Sequence, residues 1–535
     1  MKKWLPLMMI LLVLALAACK GKDDDNGVEI DEEALENMNE TGMPIVEEPI
    51  ELNFFAGKAP SSADDWNDVM VFNEYEEMTN IDINWEMIPH ESLSEKRNLA
   101  LGGGKLPDAF HSALIPASDL FKYGKQGTFI ELNDLIDEYA PNFKKILEEN
   151  PEVEKLITFP DGKIYAFPTI FSPDFLSVLT YVKPWVREDW LEELDMDVPE
   201  TTDELYEYFK AIKEEQPDGG GEIPFGATSI DGIINWVEGS FGVANRGVSY
   251  IDMDPDEEGK VRFYPTSDEY KEMLEYVHKL YEEELIEQNI FSMEWDQYLA
   301  NASEGKYGST MFNSPEELFE GEIGESFIPG KALEGPHGDK NFTVLSSPVF
   351  SMGNFVITNE NENPAATVRW MDYFYGDEGA KLFFMGIEGE TFEETEDGEF
   401  EYVDDITNSK DGLSLDQELA KYFTWLGGGY PGIVKEEYFN GAEASPSEIE
   451  AAEVLEPDLI DEVWAPGFTY TEEENRVLDS TGADIEKYVN EMRDKFIAGD
   501  ESFDNWDKYV SEIEKMNLDE YMKIQQDAYE RFQEN

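Results

Sequence analysis

A single cysteine occurs in this chain of 535 residues, at position 19 behind Leu16-Ala17-Ala18. Two small residues before a cysteine fit a narrow peptidase subsite, and the thiol is the group that accepts diacylglycerol in lipoprotein maturation. The preceding stretch supports that chemistry. Lys2 and Lys3 make a basic start, and Trp4 through Ala15 is almost wholly apolar. This is the pattern of a secretory signal, too short for a permanent membrane span. The sequence therefore predicts a signal peptide over 1–18 and acylation of Cys19 with palmitate-type chains, two on the glycerol and a third on the amine, which anchor stably. With its only cysteine committed there, the chain has no internal disulfide, cysteine metal cluster or catalytic thiol.

Other reactive residue types form no constellation. The four histidines, His90, His111, His278 and His337, lack zinc spacing. His278 flanks the apolar stripe of a helix, whereas His111 follows a strand end, where clefts form. Among 120 acidic residues, paired carboxylates suited to glycoside hydrolysis occur everywhere and so mark nothing. Asp252, Asp254, Asp256 and Glu258 have calcium-loop spacing, but Glu257 stands where glycine is needed and Phe263 where glutamate is. That stretch reads as an acidic turn before a strand. Gly102-Gly103-Gly104-Lys105 lacks the Ser or Thr of a phosphate loop and has Leu99 at its first glycine position, so it reads as a helix stop. No catalytic set emerges, and the chain is expected not to be an enzyme.

The charge balance is 39 basic against 120 acidic residues, net −81. Phosphate neutralisation needs basic surface, which argues against nucleic acid as a partner. The acids run along the whole chain, as on a hydrated surface suited to saline or alkaline surroundings. Residues 19–49, with Cys19 lipidated, are acidic and poor in aromatics, and are expected to form a solvated tether reaching on the order of 30 Å.

From residue 50 the pattern becomes that of a folded body, with 13% aromatic content over the chain. Ile50-Glu51-Leu52-Asn53-Phe54-Phe55 alternates as a strand, a helix is predicted over Asp65–Met78, and Ile81, Ile83, Trp85 and Met87 alternate again. Ser92 with Glu95, Thr201 with Glu204, and Thr266 with Glu269 read as capping boxes. Leu106–Phe110 reads as a third strand end, which makes a parallel sheet with helices on its faces. The C-terminus is a run of helices, and no internal repeat is visible.

Several segments, in order, resemble the family-one extracellular solute-binding proteins of carbohydrate ABC importers. Arg187-Glu188-Asp189-Trp190-Leu191 followed by Val198-Pro199-Glu200-Thr201-Thr202-Asp203-Glu204-Leu205 is similar to that family's R-x-D-W-L and P-x-T-x-D-E-L segment. Asp161-Gly162-Lys163-Ile164-Tyr165-Ala166-Phe167-Pro168 looks like its D-G-K turn, and Leu101–Asp108 like its G-x-x-P-D segment. Gly386–Thr391, Phe496–Asp500, Trp506–Tyr509 and Gln525–Arg531 narrow the resemblance to the large lipoprotein branch. The resemblance implies an α/β, two-lobe, periplasmic-binding-protein-like (type II) fold with a helical C-terminal region. The expected lobes are 50–172 plus 306–375 and 173–305 plus 376–535. It further implies an oligosaccharide held in the cleft between them and passed to ABC transporter permease subunits. The protein is expected as a monomer, lipid-anchored on the extracytoplasmic face of the cell membrane. Many members of that family carry an Asp-Pro-Asn-Gly-Asn-Gly-Lys-like loop, in some of them holding calcium, where this chain has Gln216-Pro217-Asp218-Gly219-Gly220-Gly221-Glu222. Asp218 and Glu222 alone are too few carboxylates for an ion wanting six to eight oxygens, so no cofactor is expected.

A pyranose offers C–H faces and hydroxyl edges, so its site needs flat apolar rings and polar groups. The aromatic candidates are Trp66, Tyr165, Trp236, Trp295, Trp425 and Tyr430, with Asp108, His111 and Arg369 as polar ones. Trp425 stands out because it precedes Gly427-Gly428-Gly429-Tyr430-Pro431; Trp190 lies in a helix and reads as structural. The rival expectation is a cell-bound glycan hydrolase or lyase, which needs a placed acid–base pair; a surface adhesin would show repeats.

Overall fold

The computed structural model describes residues 31–534 apart from 104, 248–251, 257, 320, 396–397 and 465–467. The expected signal peptide and Cys19 lie outside these residues. Thirteen strands are described: β1 Ile50–Lys58, β2 Ile81–Pro89, β3 Ala109–His111, β4 Phe167–Phe171, β5 Lys183–Arg187, β6 Met253–Pro255, β7 Val261–Phe263, β8 Ser309–Phe312, β9 Phe327–Pro329, β10 Val349–Ile357, β11 Phe392–Glu394, β12 Phe400–Tyr402 and β13 Gly432–Val434.

The alternation of β2 puts Ile81, Ile83 and Trp85 inward and Asp82, Asn84 and Glu86 outward. That two-residue period makes it a half-buried edge strand. Beside it, β1 pairs in parallel with both β2 and β3, Phe54 standing opposite Trp85 and Ala109. The six-stranded sheet has the order β13-β4-β10-β3-β1-β2, with β10 antiparallel to both neighbours. A second, antiparallel sheet of order β8-β5-β9 builds the other body. The chain therefore forms two α/β bodies.

Local chemistry shifts several expected boundaries. The helix expected over Asp65–Met78 is broken by extended Val69 into a short turn Trp66–Asp68 and a helix Met70–Thr79, which ends on left-handed Asn80. Thr201 and Glu204 form the expected capping box. The next one is replaced: Ser267, not Thr266, caps Asp268–Glu282 through the Tyr270 N–H. Ser92 lies inside the helix His90–Gly103 and donates to the Pro89 carbonyl at 3.2 Å, so it is not an N-cap.

Two larger corrections concern organisation. The acidic segment is not solvated to residue 49. Glu32–Asn37 is helical behind the Asp31 cap, and Ile45 and Val46 are fully buried against Thr79. These two apolar residues provide the burial that the acidic composition conceals. Residues 306–345, expected in the first lobe, carry β8 and β9 of the second sheet, and β13 returns from 376–535 to the first sheet. Strand pairing, invisible in a one-dimensional pattern, decides both. The C-terminal helices touch both bodies: Ala483–Ala498 packs on Asp268–Glu282, and Leu518–Glu534 on Pro151–Ile157.

Candidate ligand-binding site

In an open α/β sheet, ligands sit beyond the carboxyl ends of the parallel strands. Here β1, β2 and β3 end at Lys58, Pro89 and His111, and two close approaches fix the turn that follows β3. A side chain at Gly57 would meet the Ser112 carbonyl at 2.2 Å, and one at Gly353 the Ile115 carbonyl at 1.9 Å. Only glycine lets the Ser112–Ile115 turn nest between β1 and β10. Within that turn Ser112 and Leu114 adopt φ of 51° and 49°, and Leu114 is left 37% exposed. A non-glycine residue held left-handed and apolar at a strand end points to function. Buried Arg97 holds the turn, Nη1 donating to the Ala113 carbonyl at 2.8 Å and the Leu114 carbonyl at 2.6 Å.

The loop Gly427-Gly428-Gly429, all three at positive φ, closes over the same ends. A Cβ on Gly427 would lie 2.4 Å from Ala59 Cβ, and one on Gly429 would lie 3.3 Å from Leu114 and 3.9 Å from His90. The loop is pinned by the Tyr430 carbonyl, which accepts from Thr169 Oγ1 and from Asn354 Nδ2. Two ring nitrogens next to it, His90 Nε2 and Trp425 Nε1, are buried without a hydrogen-bond partner among the described residues. Burial also lowers the His90 pKa, disfavouring the charged imidazole.

Two aromatic pairs present open faces. Phe350 is 48% exposed and stacks on Phe171 at 4.7 Å, at the same end of the sheet. On the second body Trp295, also 48% exposed, stacks on Phe312 at 6.0 Å, where β8 ends. Such rings can take the C–H face of a sugar. Nearby, Lys183 at the start of β5 and Glu448 form a fully buried ion pair at 2.6 Å.

Of the residues singled out from sequence, Trp295 presents its ring to solvent and Trp425 borders the glycine loop. Trp425 is 9% exposed, wedged between Phe384 and Phe439. The others are placed differently. Trp66 is buried, its Nε1 donating to Ser62 Oγ at 3.0 Å. His111 is enclosed by Trp66, Trp85 and Phe355, and burial pushes its pKa down to about 3, so it is a core imidazole. Tyr165 is buried and donates to Asp161 at 2.9 Å. Trp236 is buried in the second body with Nε1 donating to the Lys331 carbonyl. The Tyr430 ring is buried against Phe383 and Phe384. Asp108 sits at the opposite end of β3, accepting from the Asn53 N–H at 2.7 Å. Arg369 faces the N-terminal segment and donates to the carbonyls of Asn39 and Gly42. Leu114, Phe312, Phe350 and His90 were missed. For Leu114 a signal existed: a leucine in a short turn between a strand end and Pro116 has little other reason to be there.

Asp218 Oδ2 accepts from Trp190 Nε1 at 3.1 Å and lies 3.6 Å from Arg187, while Glu222 Oε1 accepts from the Gly220 N–H at 2.9 Å.

Residues 60–381 match the family model of the bacterial extracellular solute-binding proteins. The chain is 30% identical to the fructooligosaccharide ABC transporter substrate-binding protein FusA of Streptococcus pneumoniae, over 98% of both chains. It superposes on the structure of FusA in complex with kestose with TM-score 0.71 at 27% identity, covering 91% of this chain and all of that one. An HMO-binding ABC-transporter-associated solute-binding protein from Bifidobacterium longum infantis shares the fold, with TM-score 0.75 at 23% identity, over 91% of this chain and 99% of that one. The relatives are binding proteins, not enzymes, and the two α/β bodies are the two lobes of their fold. This chain belongs to the bacterial extracellular solute-binding protein family.

Proposed function

We propose that this protein is the capture subunit of an oligosaccharide ABC importer, lipid-anchored through Cys19 on the outer face of the cell membrane and acting as a monomer. The sugar lies between the wall of Leu114, His90 and Phe350 on one lobe and Trp295 with Phe312 on the other. It is delivered to the permease unaltered. The observation that carries this reading is that open stacked aromatic pairs stand on both lobes. A ligand touching both lobes binds the closed form better and shifts the population towards it.

The test is native mass spectrometry of the mature protein after incubation with mixed glycan digests. A retained oligosaccharide whose mass is unchanged on release is expected; cleaved product would contradict the reading. Detergent phase partition of wild type against Cys19→Ser tests the anchor. The wild type is expected in the detergent phase and the variant in the aqueous one; identical partition would remove the lipid.

A further inference from the structure

Among the described residues, four cations near this wall are already engaged. Lys58, at the end of β1, bonds Asp64 at 2.7 Å and the Ala63 carbonyl. Arg97 is turned onto the Ala113 and Leu114 carbonyls. Lys183 is buried on Glu448 and the Ser177 carbonyl. Lys435, just past β13, is paired with Asp377.

Carboxylates, by contrast, lie beside the contact residues. In sequence Glu91 follows His90, Asp174 follows β4, and Glu294 and Asp296 flank Trp295 on either side, whereas Asp64 is spent on Lys58. All stand on a chain of net charge −81. An anionic sugar entering here would meet like charge. Its carboxylate would be desolvated without a counter-ion, which recognition does not tolerate. An uncharged sugar would meet aromatic faces, to which the field is indifferent.

We propose that this cleft accepts uncharged, hydroxyl-rich oligosaccharides and excludes those bearing uronates. The inference rests on the sugar-capture reading above and names the class of sugar. It also predicts the salt response. Binding of a neutral ligand changes by less than about twofold between roughly 0.05 M and 0.5 M salt, whereas screening relieves repulsion and raises the weak binding of an acidic one.

The test uses the mature protein and two probes at equal concentration, a pool of neutral fructan and arabinoxylan oligosaccharides and a pool of oligogalacturonides. The retained glycans are quantified by mass spectrometry at both salt concentrations. Neutral glycans retained at both, with oligogalacturonides below about a tenth of that level at low salt, is the expected result. Oligogalacturonides retained as well as or better than neutral glycans at low salt would overturn this inference and leave sugar capture standing. Retention from neither pool would overturn both.

Discussion

Arg97 donates to the carbonyl of Leu114 at 2.6 Å and so holds, in left-handed backbone, a leucine whose side chain reaches solvent at the end of the sheet. The left-handed conformation costs a leucine roughly 1–2 kcal/mol. Leu114→Gly is therefore expected to keep or raise stability by about 1 kcal/mol in urea titration while weakening ligand binding several-fold. Arg97→Met removes two charge-assisted bonds and should lower both. A Leu114→Gly variant with wild-type affinity would remove Leu114 from the site.

Trp425 divides packing from polarity. Its ring lies between Phe384 and Phe439, so Trp425→Ala should destabilise the protein by about 3–5 kcal/mol through the cavity it leaves. Trp425→Phe keeps most of that packing and removes only the unpartnered N–H. It should leave stability within about 1.5 kcal/mol. If Nε1 meets a ligand hydroxyl, calorimetry should show binding weakened by about 1 kcal/mol, and unchanged affinity would assign Trp425 to packing alone.

Glu238 gives a pH dependence of definite sign. It is fully buried, accepts from Thr343 Oγ1, faces Asp231, Asp252 and Asp254, and burial pushes its pKa up to about 8. The unfolded chain gives up this proton near 4.5, whereas the native protein keeps it to about 8. Stability is therefore lost as pH rises through that window. Asp252, pushed up to about 7, acts in the same direction. Between about pH 5 and pH 8 the wild type should lose on the order of 3 kcal/mol more than Glu238→Gln. Parallel pH profiles of the two proteins would contradict the buried neutral acid.

Calcium should not matter to this fold. Asp218 accepts from the Trp190 indole and lies beside Arg187, and Glu222 spends one carboxylate oxygen on the Gly220 N–H, which leaves two carboxylates for a hard cation wanting six to eight oxygens. Chelation is expected to shift Tm by less than about 1 °C, because a ligand stabilises only the state it binds. A drop of several degrees, restored by calcium, would place an ion in the protein.

The strands of the first lobe were legible because β1 and β2 alternate in sequence and each buries one face. The Thr201–Glu204 box was legible because capping is local. The path of the chain between lobes was not. Ser309–Phe312 and Phe327–Pro329 reveal their sheet only by pairing with a strand more than 100 residues earlier. The same limit governs the site. Trp66, Tyr165 and Trp236 sit near glycines or turns just as Trp295 does, but remote segments fold over them. Burial is a property of what covers a ring, which no local pattern encodes. The turn holding Leu114 depends on Gly57 and Gly353, far apart in sequence, leaving room for its carbonyls.

The most direct test compares wild type and Trp295→Ala in calorimetry with one retained oligosaccharide. Trp295 is half exposed and lies on the outside of Tyr298 and Phe312, so its loss should change stability by about 1 kcal/mol. Removing a stacking face from the second lobe should weaken binding by about tenfold or more. Equal affinity in the two proteins, or no binding by the wild type to any oligosaccharide, would contradict capture between the lobes.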